Sequence, residues 1–247
     1  MLLAIDLGNT EIKAGRWDGR RWTRVARAPK PGSRREAEEF LSQFDSEPIR
    51  SSICASVMPD LEGPIKDAGM KCFEVSTKFL NVDMDLGIEI RYRTPQTLGA
   101  DRLANALAVA SMSTRNGVAV DVGTATKLEA VSSGVYLGGA IMPGLQMMAK
   151  ALSTGTALLP EVDLTAPERA IGIDTSTAVR SGVLHGHASA VDGMIERFAR
   201  EMGPKPEVFI TGGLAETVAP LCRTAMRHVP TLTLDGLVVA AKRLGLA

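Results

Sequence analysis

One glycine turn is written twice in this chain. Ala4-Ile5-Asp6-Leu7-Gly8-Asn9-Thr10 recurs as Ala119-Val120-Asp121-Val122-Gly123-Thr124-Ala125-Thr126, almost half of the 247 residues later. Each copy is a short apolar run, then an Asp, then a Gly set among hydroxyl or amide side chains. A strand ending this way can double back as a tight hairpin, because glycine tolerates backbone angles closed to other residues. The bare N–H groups of such a turn form a concavity suited to phosphate oxygens. Two of them facing each other would clamp a nucleotide's phosphates from both sides, which suggests phosphoryl transfer.

The repeat favours two similar halves over one large domain, and the length allows either. A hydrophobic content of 45% can fill two cores. Lys+Arg and Asp+Glu are equal at 28, so no net field draws the chain to nucleic acid or to an acidic membrane. Aromatic residues make up only 4%, too few for base-stacking platforms. Cys54, Cys72 and Cys222 lack metal-ligand spacing and an even-numbered framework, and read as reduced thiols of a cytoplasmic protein. Met1–Ile5 lacks the basic start of a signal peptide, and no apolar run approaches the roughly 20 residues of a membrane span.

Apolar periodicity and turn residues predict strands over residues 2–6, 10–17 and 22–28, the last two joined at Asp18-Gly19. A helix over 34–44, a strand over 51–57, a helix over 60–68 and a strand over 71–75 follow, giving the order β-β-β-α-β-α-β. Residues 95–113 begin as a loop and become an Ala-rich helix with Asp101 near its start. After Asn116-Gly117 the pattern restarts with strands near 118–121, 127–132 and 134–142. Helices are expected over 143–152, 176–200 and 214–227, with a strand at 208–211. Two domains result, residues 1–115 and 116–247.

Read in order, several motifs make the chain resemble the type III pantothenate kinases. They are Asp6-x-Gly8-Asn9-Thr10 with Lys13, Gly99-Ala100-Asp101-Arg102, and Asp121-Val122-Gly123-Thr124-Ala125-Thr126. Gly138–Gly144, Ile171-Gly172-x-x-Thr175, Thr211-Gly212-Gly213 and Leu232–Leu237 extend the match. Any single Asp-x-Gly-x-Thr turn is shared across the acetate/sugar kinase, heat-shock ATPase and actin superfamily. The Gly-x-Asp-Arg placed between two such turns is the specific part. The resemblance implies a duplicated ribonuclease-H-like, actin-like α/β fold with the active site in a central interdomain cleft. It implies ATP-dependent phosphorylation of pantothenate, on the path to coenzyme A. It also implies Mg²⁺, a monovalent cation (K⁺ or NH₄⁺) and a homodimer.

Carried onto this sequence, the resemblance makes Asp6 the residue that orients Mg²⁺, through waters that Mg²⁺ releases reluctantly. Gly8, Asn9, Thr10 and Lys13 offer donors and charge to the phosphates; taken as a lone turn, Asp6 reads as an Asx-turn. Asp101 is the general base for the pantothenate hydroxyl, its charge favoured at a helix start; its plain reading is a helix N-cap. Arg102 matches the substrate carboxylate with its two-pronged guanidinium, or else makes a surface ion pair. Tyr92, Gly99 and Ala100 fall at substrate-contact positions, Tyr92 reading otherwise as a packing residue. Asp121 resembles the monovalent-cation ligand and Thr124 the second phosphate contact. Thr175 matches a threonine that the neighbouring subunit supplies, or caps a helix. Gly212 and Gly213 would lie close to the adenosine, or form a strand-to-helix turn. His185 and His187 stand two apart on a predicted helix and so do not share a face as a metal pair.

The sequence departs from the family at one place. The second turn usually continues Thr-Ala-Thr-Thr-x-Asp, whereas here it runs Thr126-Lys127-Leu128-Glu129. Lys127 can charge the phosphate site, substitute for a cation, obstruct the site, or point to solvent. Two other functions fit the same turns: a phosphohydrolase of the superfamily, and a catalytically silent regulatory relative. Gly99–Arg102 speaks against the first, and the set Asp6, Asp101, Arg102 and Asp121 against the second.

Overall fold

The computed structural model describes residues 1–203 and 205–247. The chain divides into two compact units, Met1–Met112 with Thr231–Ala247, and Ser113–Pro230. The first unit opens with β1 (Leu2–Leu7), β2 (Glu11–Trp17) and β3 (Trp22–Pro29), an antiparallel meander. Next come α1 (Arg34–Ser42), β4 (Ser51–Ser56), α2 (Pro59–Phe73), β5 (Thr77–Phe79), the short β6 (Glu89–Ile90) and α3 (Ala100–Met112). Strands β4 and β5 extend the sheet in parallel, in the order β3-β2-β1-β4-β5.

The second unit contains β7 (Asn116–Val122), β8 (Ala125–Ser132), β9 (Val135–Pro143), α4 (Leu145–Gly155) and α5 (Thr175–Met202). It continues with β10 (Glu207–Thr211), α6 (Ala215–Val218) and β11 (Arg227–His228). Its strands run β9-β8-β7-β10-β11, again antiparallel through the meander and parallel beyond it. The order repeats that of the first unit strand for strand. This is the duplicated ribonuclease-H-like α/β fold that the family resemblance implies, and the doubled turn accounts for its two similar halves.

The central strand of each sheet explains why. In β1 every residue is buried except Asp6, and in β7 every residue is buried except Asp121. Such a strand is covered on both faces, which is why it reads as an unbroken apolar run. Leu3, Ile5, Leu7 and Ile12 pack against Phe40, Leu41, Phe44 and Ile65 in the first core. Val118, Val120, Val122 and Leu128 pack against Val183, Leu184 and Val191 of α5 in the second. Among the described residues no helix is long and apolar enough to cross a membrane.

Three local expectations give way to the structure. The predicted strand over 71–75 is the end of α2, which runs to Phe73 and stops where Glu74 turns left-handed at φ 57°, its N–H reaching the carbonyls of Gly69 and Met70. The strand follows at Thr77–Phe79. The predicted helix over 214–227 breaks into α6 and a 3-10 turn at Ala219–Leu221, because Pro220 cannot donate to a longer helix. The C-terminal residues 231–247, placed at first in the second half, form α7 (Leu232–Arg243) and belong with the first unit.

The reason is a close helix crossing. A Cβ on Gly236 of α7 would stand 1.8 Å from the carbonyl oxygen of Ala104 in α3, so only glycine fits. Asp235 beside it accepts hydrogen bonds from Trp22 Nε1 at 2.8 Å and Thr231 Oγ1 at 2.9 Å. Gly236→Ala is expected to cost about 3 kcal/mol, the upper end of the overpacking range. The readout is a lower urea midpoint, and an unchanged midpoint would show that α3 and α7 separate freely.

Candidate active site

In the first unit, the β1–β2 hairpin sets the geometry of the Asp6 turn. Leu7 lies opposite Ile12 and Asp6 opposite Lys13, so carboxylate and ammonium share one face of the sheet. The Gly8 N–H donates to the Glu11 carbonyl at 2.9 Å and closes the loop, leaving Asn9 and Thr10 exposed at its tip. A Cβ on Gly8 would come to 3.2 Å from that same carbonyl. Asp6 itself is half-buried. Among the described residues no group of three or more His, Cys, Asp or Glu side chains gathers to hold a metal.

A second group of sequence-predicted residues converges at the start of α3. Asp101 lies in the first helical turn, inside the helix rather than as its N-cap. Its Oδ1 accepts from the Arg102 backbone N–H at 2.8 Å. A Cβ on Gly99 would stand only 2.7 Å from that oxygen, so glycine there leaves room for the carboxylate. Arg102 is buried and lies over the Tyr92 ring at 5.6 Å, with Nη1 3.4 Å from the Tyr92 hydroxyl. Ala100 is buried at the helix start. The structure thus joins Tyr92, Gly99, Asp101 and Arg102 into one cluster. A surface ion pair, the plain reading of Arg102, does not describe a guanidinium held over an aromatic ring.

The second unit repeats the hairpin. Val122 lies opposite Thr126 and Asp121 opposite Lys127, and the Gly123 N–H donates to the Ala125 carbonyl at 3.3 Å. Thr124 is exposed at the tip. Lys127 Nζ stands 2.9 Å from Asp121 Oδ2, and both side chains are largely withdrawn from solvent, 18% and 14% exposed. Two glycines pin this turn. A Cβ on Gly144, at the head of α4, would meet the carbonyls of Thr124 and Gly123 within 2.4 Å. One on Gly212, at φ 99°, would meet the Val122 carbonyl at 2.5 Å. Packing on the turn therefore requires Gly212 independently of any nucleotide, whereas Gly213 is exposed with open space around it.

On the same face as Lys127, Glu129 is fully buried and accepts from the Tyr136 hydroxyl at 2.6 Å. On the opposite face, Thr126 Oγ1 and His187 Nε2 are 2.8 Å apart and buried. The spacing of His185 and His187 argues against a metal pair but does not reveal this contact with Thr126. The signal was the helical stripe Val183, Leu184, His187, Val191, which turns the imidazole toward the sheet. Thr175 is the first residue of α5, exposed, while Asp174 beside it is the cap, in a reciprocal box with Thr177. Burial raises the Cys54 thiol pKa well up and the Cys222 thiol to about 12, so neither serves as a nucleophile.

Burial also pushes the His187 imidazole pKa below its ordinary value. The unfolded chain then binds this proton more readily, so the His187 contribution is complete above about pH 6.5 and declines as pH falls below it. Urea unfolding in the acid range should show a shallower pH dependence for His187→Gln than for the parent chain. Equal slopes would mean that the imidazole does not change its proton affinity on folding.

A profile of the type III pantothenate kinase family matches residues 2–197. A type III pantothenate kinase of Rubrobacter xylanophilus is 39% identical, over 97% of this chain and 96% of its own. One from Thermus thermophilus is 38% identical, over 96% and 97%. Among solved structures, the ROK hexokinase of Thermus thermophilus covers 98% of this chain and 99% of its own at a TM-score of 0.56 and 16% identity. An inorganic polyphosphate/ATP-glucomannokinase of an Arthrobacter strain covers 99% and 98% at 0.53 and 16%. At those identities the structural likeness concerns the fold alone.

Proposed function

The chain belongs to the type III pantothenate kinase family, and from that premise we propose how its residues carry phosphoryl transfer from ATP to pantothenate, the first step toward coenzyme A. The observation that supports this most is the cluster of Tyr92, Gly99, Asp101 and Arg102 at the head of α3. Phosphate turns alone occur with many acceptors. An acceptor site for an alcohol that also bears a carboxylate needs a base and a fixed cation, and positions 101 and 102 supply both.

Asp101 accepts the proton of the pantothenate primary hydroxyl as its oxygen forms the new bond to the γ-phosphorus and ADP departs. The first turn of α3 suits this role because Gly99 leaves room there for the carboxylate to meet a hydroxyl. Arg102 takes the pantothenate carboxylate, with Tyr92 fixing the plane of its guanidinium. Ala100 contributes a small, buried side chain at the helix start. Gly8, Asn9, Thr10 and Lys13 bind ATP phosphates from the first turn, and Thr124 from the second, with Gly212 and Gly213 beside the adenosine. Phosphoryl transfer asks mainly for such positioning and charge neutralisation.

Mg²⁺ fits Asp6. This ion is ordinarily held by one or two carboxylates, waters and substrate phosphates rather than by a protein cage, and Asp6 is a single half-buried carboxylate at the mouth of a phosphate turn. The bound ion neutralises phosphate charge. The monovalent cation does not fit in the same way: Asp121, its expected ligand, is already engaged by Lys127. Free thiols at Cys54, Cys72 and Cys222 support a reducing compartment, and we assign the enzyme to the cytoplasm.

A homodimer is the proposed assembly. Leu158, Ile171 and Ile173 are 90%, 82% and 88% exposed, and Ile173 and Thr175 line one shallow depression with Leu159 and Val179. Large apolar side chains gathered on a surface mark an interaction site, and this one would bring Thr175 to the partner's substrate. Ile173→Glu should convert a dimer to a monomer in sedimentation and raise KM for pantothenate. A parent chain that sediments as a monomer would refute the assembly.

The deciding measurement is ADP release from the purified protein with MgATP, with and without pantothenate. Pantothenate-dependent release is expected, and acceptor-independent release would indicate a hydrolase instead. Asp101→Asn should reduce the pantothenate-dependent rate by about 10²-fold or more, the scale of a lost general base. Its circular dichroism and sedimentation should remain unchanged. Near-normal turnover would remove Asp101 from the base role.

A further inference from the structure

The two hairpins match at a position that the glycine motif does not contain. Asp6 at the end of β1 lies across the ladder from Lys13, and Asp121 at the end of β7 lies across from Lys127. Strand register therefore puts one lysine on the same sheet face as the aspartate of each turn. In the second unit the pair closes to 2.9 Å with both side chains largely removed from water. The register cannot slip, because Gly144 and Gly212 clamp the turn's backbone from two sides. A one-residue slip would also turn buried Thr126 and Leu128 outward.

From this we infer that Lys127 is the built-in cation of the second phosphate turn, replacing the K⁺ or NH₄⁺ that the family resemblance places at Asp121. The inference rests on the reading of the Thr124 turn as an ATP-phosphate site. An alkylammonium is a tethered NH₄⁺: it carries the same unit charge in a compact, strongly hydrated head with three donors. Held on Asp121, it directs that charge to the turn without requiring an ion from solution. Any K⁺ reaching Asp121 would have to displace a counter-ion that the chain itself carries. The pair is largely withdrawn from water, so salt screens it less than it would an exposed pair. Buried Glu129, held by the Tyr136 hydroxyl two positions along the same face, adds a carboxylate near the ammonium without leaving the sheet. The first hairpin has Gly15 at the position that Glu129 holds in the second, so this carboxylate belongs to the second hairpin alone.

The test uses the full-length protein and a non-hydrolysable ATP analogue with Mg²⁺, titrated calorimetrically in a buffer whose only monovalent cation is choline. K⁺, NH₄⁺ or Na⁺ is then added at matched ionic strength. The parent chain should bind the analogue in choline and gain less than about twofold on adding K⁺, whereas a required charged contact would be worth tenfold or more. Pantothenate-dependent ADP release should be equally indifferent to K⁺. Lys127→Ser should bind about tenfold more weakly in choline, by the same arithmetic, and K⁺ or NH₄⁺ should restore it. Lys127→Ala provides an independent variant, and circular dichroism checks that both fold.

A parent chain that needs K⁺ to bind the analogue would overturn the inference while leaving the kinase reading intact. So would a folded Lys127→Ser that binds in choline as the parent does. Absence of binding under every cation would refute the nucleotide site, and the inference with it.

Discussion

A strand buried on both faces can carry a carboxylate only at its end, where a turn opens it to solvent. That constraint governs both sheets. In β1 and β7 the single residue that escapes burial is the aspartate before the turn glycine, and the antiparallel neighbour sets a lysine opposite it. The same packing that makes each core continuous thus fixes where charge can emerge. Each unit presents an acid, a base and a ring of turn donors at one end of its central strand.

The proposed phosphate sites draw on this arrangement. Backbone N–H groups and short hydroxyl or amide side chains at the turns need no induced fit to meet phosphate oxygens. The proposed acceptor site lies on another element, a helix start where Gly99 makes space for the Asp101 carboxylate and Arg102 lies over the Tyr92 ring. The glycine turns and the cluster at the head of α3 are thus separate structural devices. In the proposed function the cluster, and not the turns, selects an alcohol that bears a carboxylate.

Much of the fold was legible because its signals are periodic. The doubled turn, the β-β-β-α start and the Ala-rich α3 are written as local patterns, and they set two sheets of the same strand order. Boundaries were less legible where helix and strand signals overlap. Residues 71–73 are apolar enough for a strand but extend α2, because Glu74 supplies the left-handed stop. Residues 214–227 have helical composition, yet Pro220 divides them. The site residues were legible as motifs, and the glycines as turns. The reason for Gly212 was not, since it lies in a contact with Val122 from a distant strand.

By itself the sequence determined the duplication and the two buried central strands, because hydrophobic period and turn chemistry are local properties of the chain, while its ordered motifs carried the family resemblance. Only tertiary structure decided where α7 belongs, since Gly236 is required by a backbone more than a hundred residues away in Ala104. Tertiary structure likewise chose among the readings of Lys127. Charging the phosphate site, substituting for a cation, obstructing the site and pointing to solvent are equivalent in a linear sequence. Cross-strand register placed the ammonium on Asp121, because a sheet fixes which side chains share a face only once its strands are paired.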